Sequence, residues 1–262
     1  MSQPLLRLLI AGIATVPLAL PVHAATFTLN PTEDAFVSSA NPASNYGGAG
    51  ALAVAAAALP KGEFDSVLKF NLSTAKASFD TALGAGLWSV TSITLQLTAT
   101  SPANALFNGN GAGPGGSNIN FSGSFSMSWM QNHSWVEGNG TPAAASTTGI
   151  TFSTLSSFRG GADQTLGTFA FGGATSGNDV WTLGLAASLV ADVVAGNVAG
   201  MLMLPADNAV TYLSNSRSVG TVAFHPQLTV TASSVPEPRC AGLFAGGAFA
   251  MLARRRRDAR AV

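Results

Sequence analysis

Apolar and polar residues alternate with a period of two through the middle of the chain. Ile119, Phe121, Gly123, Phe125, Met127 and Trp129 interleave with Asn120, Ser122, Ser124, Ser126 and Ser128, which sends the apolar set to one face of a strand and the serines to the other. Ile93, Leu95 and Leu97 alternate with Thr94, Gln96 and Thr98, Leu68, Phe70 and Leu72 with Lys69 and Asn71, and Leu228 and Val230 with Thr229. Each pattern predicts a strand with one buried face. The period changes to helical only around Leu185 to Ala195, where Leu185, Leu189, Val190 and Val193 share a face and Gly196 suits a left-handed cap. A strand from Met201 to Leu204, stopped by Pro205, follows.

Clusters of Gly, Ser, Asn and Pro separate these runs at 41–50, 101–117, 138–148 and 172–178. Many short strands punctuated in this way predict an all-β fold, an antiparallel β-sandwich of jelly-roll type with one short helix. The glycine-rich loop 101–117 is followed by neither a phosphate-binding lysine nor a strand-to-helix turn, so it reads as a surface loop.

The two ends carry a different pattern. Arg7 precedes an apolar run from Leu8 to Leu20, and Val22-His23-Ala24 ends in the small residue that signal peptidase requires, which predicts cleavage between Ala24 and Ala25. Pro17 and Pro21 interrupt this run, and a permanent span needs about 20 apolar residues. At the other end stand Pro236, Glu237 and Pro238, then the apolar stretch from Ala241 to Leu252, then Arg254, Arg255, Arg256 and Arg257. Four arginines resist translocation and would hold a short apolar segment transiently in the membrane. This order of parts resembles the PEP-CTERM sorting signal. The resemblance implies processing near Pro236-Glu237-Pro238 by an exosortase, with delivery to the surface or extracellular matrix of a polysaccharide-producing Gram-negative bacterium. Arg239 and Cys240 directly after the motif depart from its usual apolar continuation. The expected division is a signal peptide over 1–24, a β-sandwich domain over 25–232 and a sorting segment over 233–262.

The zero net charge of the whole chain hides an asymmetry. Between Ala25 and Ser234 five basic residues face ten acidic ones, a formal charge of −5, which argues against nucleic acid as a partner. Acidic residues also permit calcium, and the adjacent Glu33 and Asp34, close to a carbonyl-rich loop, are the candidate ligands. The lone cysteine, Cys240, falls in the sorting segment, so the exported domain folds without an internal disulfide.

Several landmarks in the middle are similar to the DNRLRE domain family of secreted β-sandwich modules. They are Glu33-Asp34-Ala35-Phe36-Val37, Asn41-Pro42, Asn45-Tyr46-Gly47-Gly48, Val67 to Ser73, Trp135 to Thr141, Tyr212 to Arg217 and His225 to Val230. The six-residue motif that names the family is missing, and Lys69 stands where an arginine is often found. The resemblance implies a β-sandwich, and some such domains bind polysaccharides.

Sugar binding on a sandwich calls for an aromatic face with polar groups beside it. Tyr46 in its Gly/Asn loop and Trp135 beside Glu137 and Asn139 are the candidates, while Trp129 and Trp181 read as core anchors. Catalysis has little to draw on. His133 and His225 are the only histidines after Ala24, neither pairs with a cysteine at zinc spacing, and adjacent Glu33 and Asp34 point to opposite faces of a strand. Three readings follow: a non-enzymatic surface or matrix protein, a polysaccharide-binding module, and a glycan lyase or hydrolase.

Overall fold

The computed structural model describes residues 22–59, 61–100, 122–171 and 177–235. The first 21 residues, the loop 101–117 with Ile119 and Phe121, Pro236, Glu237, Pro238, Cys240 and Arg254 to Arg257 lie outside the described residues.

Eleven strands among the described residues form two antiparallel sheets. In one, β1 (Ala24–Leu29), β11 (Gln227–Ser234), β5 (Trp88–Thr98) and β8 (Asn178–Thr182) lie side by side in that order. In the other the order is β10 (Thr211–Asn215), β3 (Ala51–Ala55), β4 (Phe64–Asn71), β9 (Val198–Pro205), β6 (Gly123–Met130) and β7 (Gln164–Phe171), with β2 (Glu33–Ser38) also pairing with β4. This is the all-β sandwich that the alternation predicts. Leu68, Phe70, Phe125 and Met127 from the larger sheet meet Ile93, Leu95, Leu228 and Val230 from the smaller one in a continuous buried core. Phe125 stands edge-on to the Trp181 ring at 5.1 Å, and Trp129 is buried as the core anchor expected.

Helix α3 (Ala187–Ala195) sits where the helical period places it, closed by Gly196 in the left-handed region at φ 73°. Its Asp192 accepts a hydrogen bond from the Trp129 indole at 2.8 Å, tying the helix to β6. Among the described residues the structure adds two α-helices that alternation does not reveal, α1 (Ser73–Leu83) and the single turn α2 (Phe152–Leu155), and two short 3-10 turns, Ser156–Phe158 and Val222–Phe224. In α1 only Ala75 and Phe79 are buried, with Phe79 against Trp88, so the sequence carries too thin an apolar stripe to announce it.

One expectation fails in an informative way. Strand β4 was expected to bury one face, but Asp65, Val67 and Lys69 are as buried as Ser66, Leu68 and Phe70. The segment between β6 and β7 crosses the outer face of the larger sheet and packs Trp135, Ile150 and Leu155 against Ala35, Val37, Val67 and Leu202. A strand covered on both sides loses its polar face, whatever its own sequence suggests. No helix among the described residues is long and apolar enough to cross a membrane.

Candidate functional site

The landmarks singled out in the sequence converge at one end of the larger sheet. Asn45 is fully buried, and its side chain satisfies four backbone groups: Nδ2 donates to the Glu137 and Ile150 carbonyls at 2.7 Å each, and Oδ1 accepts from Gly47 N at 3.1 Å and Gly140 N at 3.0 Å. The loop 41–50 is thereby clipped to the covering segment. A Cβ on Gly47 would collide with the Glu137 carbonyl, and Gly138, at φ 75°, would bring one into Asn45.

A charged cluster braces the same junction. Lys69 Nζ donates to Glu33 Oε1 at 2.9 Å and to the Trp135 carbonyl at 2.5 Å, and stands 4.4 Å from the Trp135 ring centroid. Glu33 Oε2 accepts from Glu137 N at 3.0 Å, Glu137 pairs with the Arg217 guanidinium, and Asp34 Oδ2 accepts from Arg217 N at 2.8 Å. Burial pushes the Asp34 carboxyl up to about 7, against the opposing pull of the Arg217 amide. Glu137 is likewise raised by burial, with Arg217 opposing.

These contacts bear on three expectations. Trp135 is 1% exposed, so its ring is a packing element under which Lys69 is held rather than a platform for sugar. Glu137 is committed to Arg217. Glu33 and Asp34 are engaged by the protein itself, Glu33 at both oxygens and Asp34 at one, and among the described residues they do not belong to a group of three or more His, Cys, Asp or Glu placed to hold a metal ion. His133 packs its Cβ over Gly200, and the His225 ring meets the Val219 carbonyl at 2.9 Å, both positions of turn and packing residues.

Tyr46 is also mostly buried, at 7% exposure, because its ring stacks on Phe36 with centroids 4.6 Å apart and planes 7° apart. Unlike Trp135, however, it contributes to the wall of an open cleft of about 390 Å³. Phe36, Tyr46 and Phe64 form the apolar side, and Ser38, Asn41 and Lys61 supply polar groups. The Ser38 hydroxyl is buried there without a hydrogen-bond partner among the described residues. Such a group is costly to bury, and with almost no accessible surface it is a cost of the fold rather than a contact for a ligand. An apolar border beside an amide and an ammonium suits a polyhydroxylated ring.

Residues 25–106 match the model of carbohydrate-binding module family 96. No curated protein matches the chain. The matched segment contains Phe36, Ser38, Asn41, Tyr46, Lys61 and Phe64, all from the cleft, and also both members of the Glu33–Lys69 bridge.

Sequence reasoning identified Tyr46 and overlooked its neighbours. Phe36 falls within the Glu33 to Val37 landmark, nothing in the sequence pattern marks Phe64, and their alignment depends on the pairing of β2 with β4, which sets Ser38 opposite Phe64. The charge imbalance held one usable signal for Lys61, one of only five bases between Ala25 and Ser234.

A second cleft, of about 460 Å³, opens on the outer face of the larger sheet among Ser128, Leu202 and Leu204 of the strands and Ser156, Arg159 and Asp163 of the covering segment. It lies outside the matched residues. On β4, paired with Val37, Asp65 is buried with Oδ1 unpartnered among the described residues. Burial pushes its carboxyl up to about 7, with Glu63 adding to the shift and Arg159 opposing it.

Proposed function

We propose that the protein is an exported, non-enzymatic polysaccharide-binding module and that its sugar site is the cleft between Phe36, Tyr46 and Lys61. The supporting observation is the coincidence of two independent facts. The segment that resembles a carbohydrate-binding family is the one that supplies the cleft's aromatic side and its polar Asn41 and Lys61. The Asn41 amide bonds sugar hydroxyls, the small exposed part of the Tyr46 ring gives them an apolar neighbour, and Lys61 favours ligands with acidic or strongly polar substituents. The groups named for the cleft hydrogen-bond a ligand but include no carboxylate pair, which suits binding without bond cleavage.

Calorimetric titration of the purified protein with neutral and uronic oligosaccharides tests this reading. Binding by one sugar class, lost in Asn41→Ala with Lys61→Ala while the fold is kept, is the expected result. Heat of binding unchanged in that double variant would move the site elsewhere.

The delivery of this module belongs to the same reading. Signal peptidase would cleave between Ala24 and Ala25, one residue into the strand that begins at Ala24, so the first pairing of the mature strand would be Ala25 with Ala232. The DNRLRE-like landmarks and the PEP-CTERM-like tail support placement at the surface or in the matrix, after exosortase action near Pro236-Glu237-Pro238. Mass spectrometry of protein from an exosortase-bearing host decides this. An extracellular form that still carries Arg254 to Val262 refutes it.

A further inference from the structure

The outer face of the smaller sheet is unlike the rest of the surface. Thr28, Thr229, Thr94 and Thr182 stand directly opposite one another across β1, β11, β5 and β8. Thr26, Thr231 and Ser92 form a parallel row, and Gln227, Gln96 and Val180 form a third. Strands lie about 4.8 Å apart and alternate residues on a strand about 7 Å apart, so these rows make a two-dimensional grid of short side chains roughly 14 Å on a side. Thr26 and Thr28 on the edge strand bond their β11 neighbours through hydroxyls at 3.2 and 2.8 Å, which fixes their rotamers in advance.

No outward position in these rows carries a charge. Asp179, the single acidic residue of the four strands, turns inward and accepts the Tyr212 hydroxyl at 2.9 Å. Solvent-facing sheets and their edges ordinarily display charged residues, lysine above all, because a flat uncharged edge invites association. Threonine's strand preference explains single positions but not the exclusion of charge from the whole face of an acidic domain.

We propose that this face is a second, separate adhesion surface for the ordered face of a solid, uncharged polysaccharide. The inference rests on the carbohydrate reading, but it concerns a different sheet and a different physical form of ligand. A neutral repeating surface offers hydroxyls and axial C–H groups at regular intervals. The grid answers with hydroxyls and methyls, without the desolvation of any ion on either side. Each contact is weak, and their number together with the preset rotamers makes the attachment.

Depletion of the full chain onto particles of microcrystalline cellulose and of an insoluble β-1,3-glucan is the test, run beside the oligosaccharide titration. The wild-type protein should partition onto at least one solid, and 1 M sodium chloride should not release it, since no ion pair is involved. Thr28→Lys and Thr182→Lys, both at exposed edge positions, should each lower the partition at least tenfold while leaving soluble-sugar binding and the melting temperature unchanged. Lys61→Ala should do the reverse, weakening soluble sugar and sparing the solid. The proposal is overturned if neither solid binds the wild type, if both threonine variants bind as wild type does, or if Lys61→Ala abolishes the partition. Thermal hysteresis of freezing without uptake by either solid would assign the grid to ice and likewise overturn it.

Discussion

The two sheets share one core and differ in what lies behind them. Behind β11 and β5 there is solvent, and the alternation of Leu228, Val230, Ile93 and Leu95 with threonines and glutamines follows burial up to the end of β5, where Thr98 is buried against Asn178. Behind β4 lies the covering segment of Trp135, Ile150 and Leu155, so Asp65, Val67 and Lys69 are buried too, and the polar half of the alternation becomes a set of satisfied or strained internal groups. A polar residue at a period-two position therefore reports on solvent only where no other segment packs over it. In the covered sheet the same residue types form a brace, and in the open sheet they form a surface.

The comparison is broken most severely through the shared core. Phe125→Asp places a charge between the sheets, against Trp181, Tyr212 and Phe169, at a cost of several kcal/mol that exceeds what a marginally stable domain holds in reserve. Circular dichroism should show no cooperative melt. Trp135→Ala sharpens the contrast instead. It removes the cover over Lys69 and the cluster around Val67, and urea unfolding should register a loss of about 3–5 kcal/mol.

Proton linkage distinguishes the sheets without disturbing packing. Asp34 and Asp65, both on the larger sheet, keep their protons to about pH 7 in the folded protein but release them near 3.8 when unfolded. The folded state thus binds more protons between those values, and stability falls as pH rises from about 4 to about 7, by up to about 1.4 kcal/mol per pH unit for each group. Asp65→Asn should raise the melting temperature at pH 8 and flatten the profile, and Asp34→Asn should do so less, because its carboxylate also holds the Arg217 amide. A profile that rises across this window in the wild type would contradict the assignment. The smallest effect belongs to the open sheet, where Thr229→Ala should change unfolding free energy by within about 0.5 kcal/mol in the same urea assay.

Much of the fold was legible because alternation is a local property. Phe125, Met127, Ile93, Leu95 and Leu228 could be placed on the core face from their neighbours alone, and Gly196 could be recognised as a cap from the helical spacing before it. The cleft was legible only at Tyr46. Its partners come from β2, the 41–50 loop and the turn before β4, and their meeting depends on the register that sets Ser38 against Phe64. Trp135 and Tyr46 looked equivalent in sequence, both aromatic in polar loops. One is sealed beneath its own segment by Lys69 and the other borders open space.

The sequence by itself determined the class of fold, the absence of any cysteine from residues 25–234 and the face of each simple strand, since these follow from residue type and period along a single element. Only the tertiary structure decided which polar residues became a brace, which aromatic ring borders a cleft, and that scattered threonines on four distant segments align in rows. Strand pairing brings together residues as far apart as Thr28 and Thr229, and a covering segment can bury a face that period alone marks as exposed. Neither long-range contact leaves a mark in the local pattern from which a sequence is read.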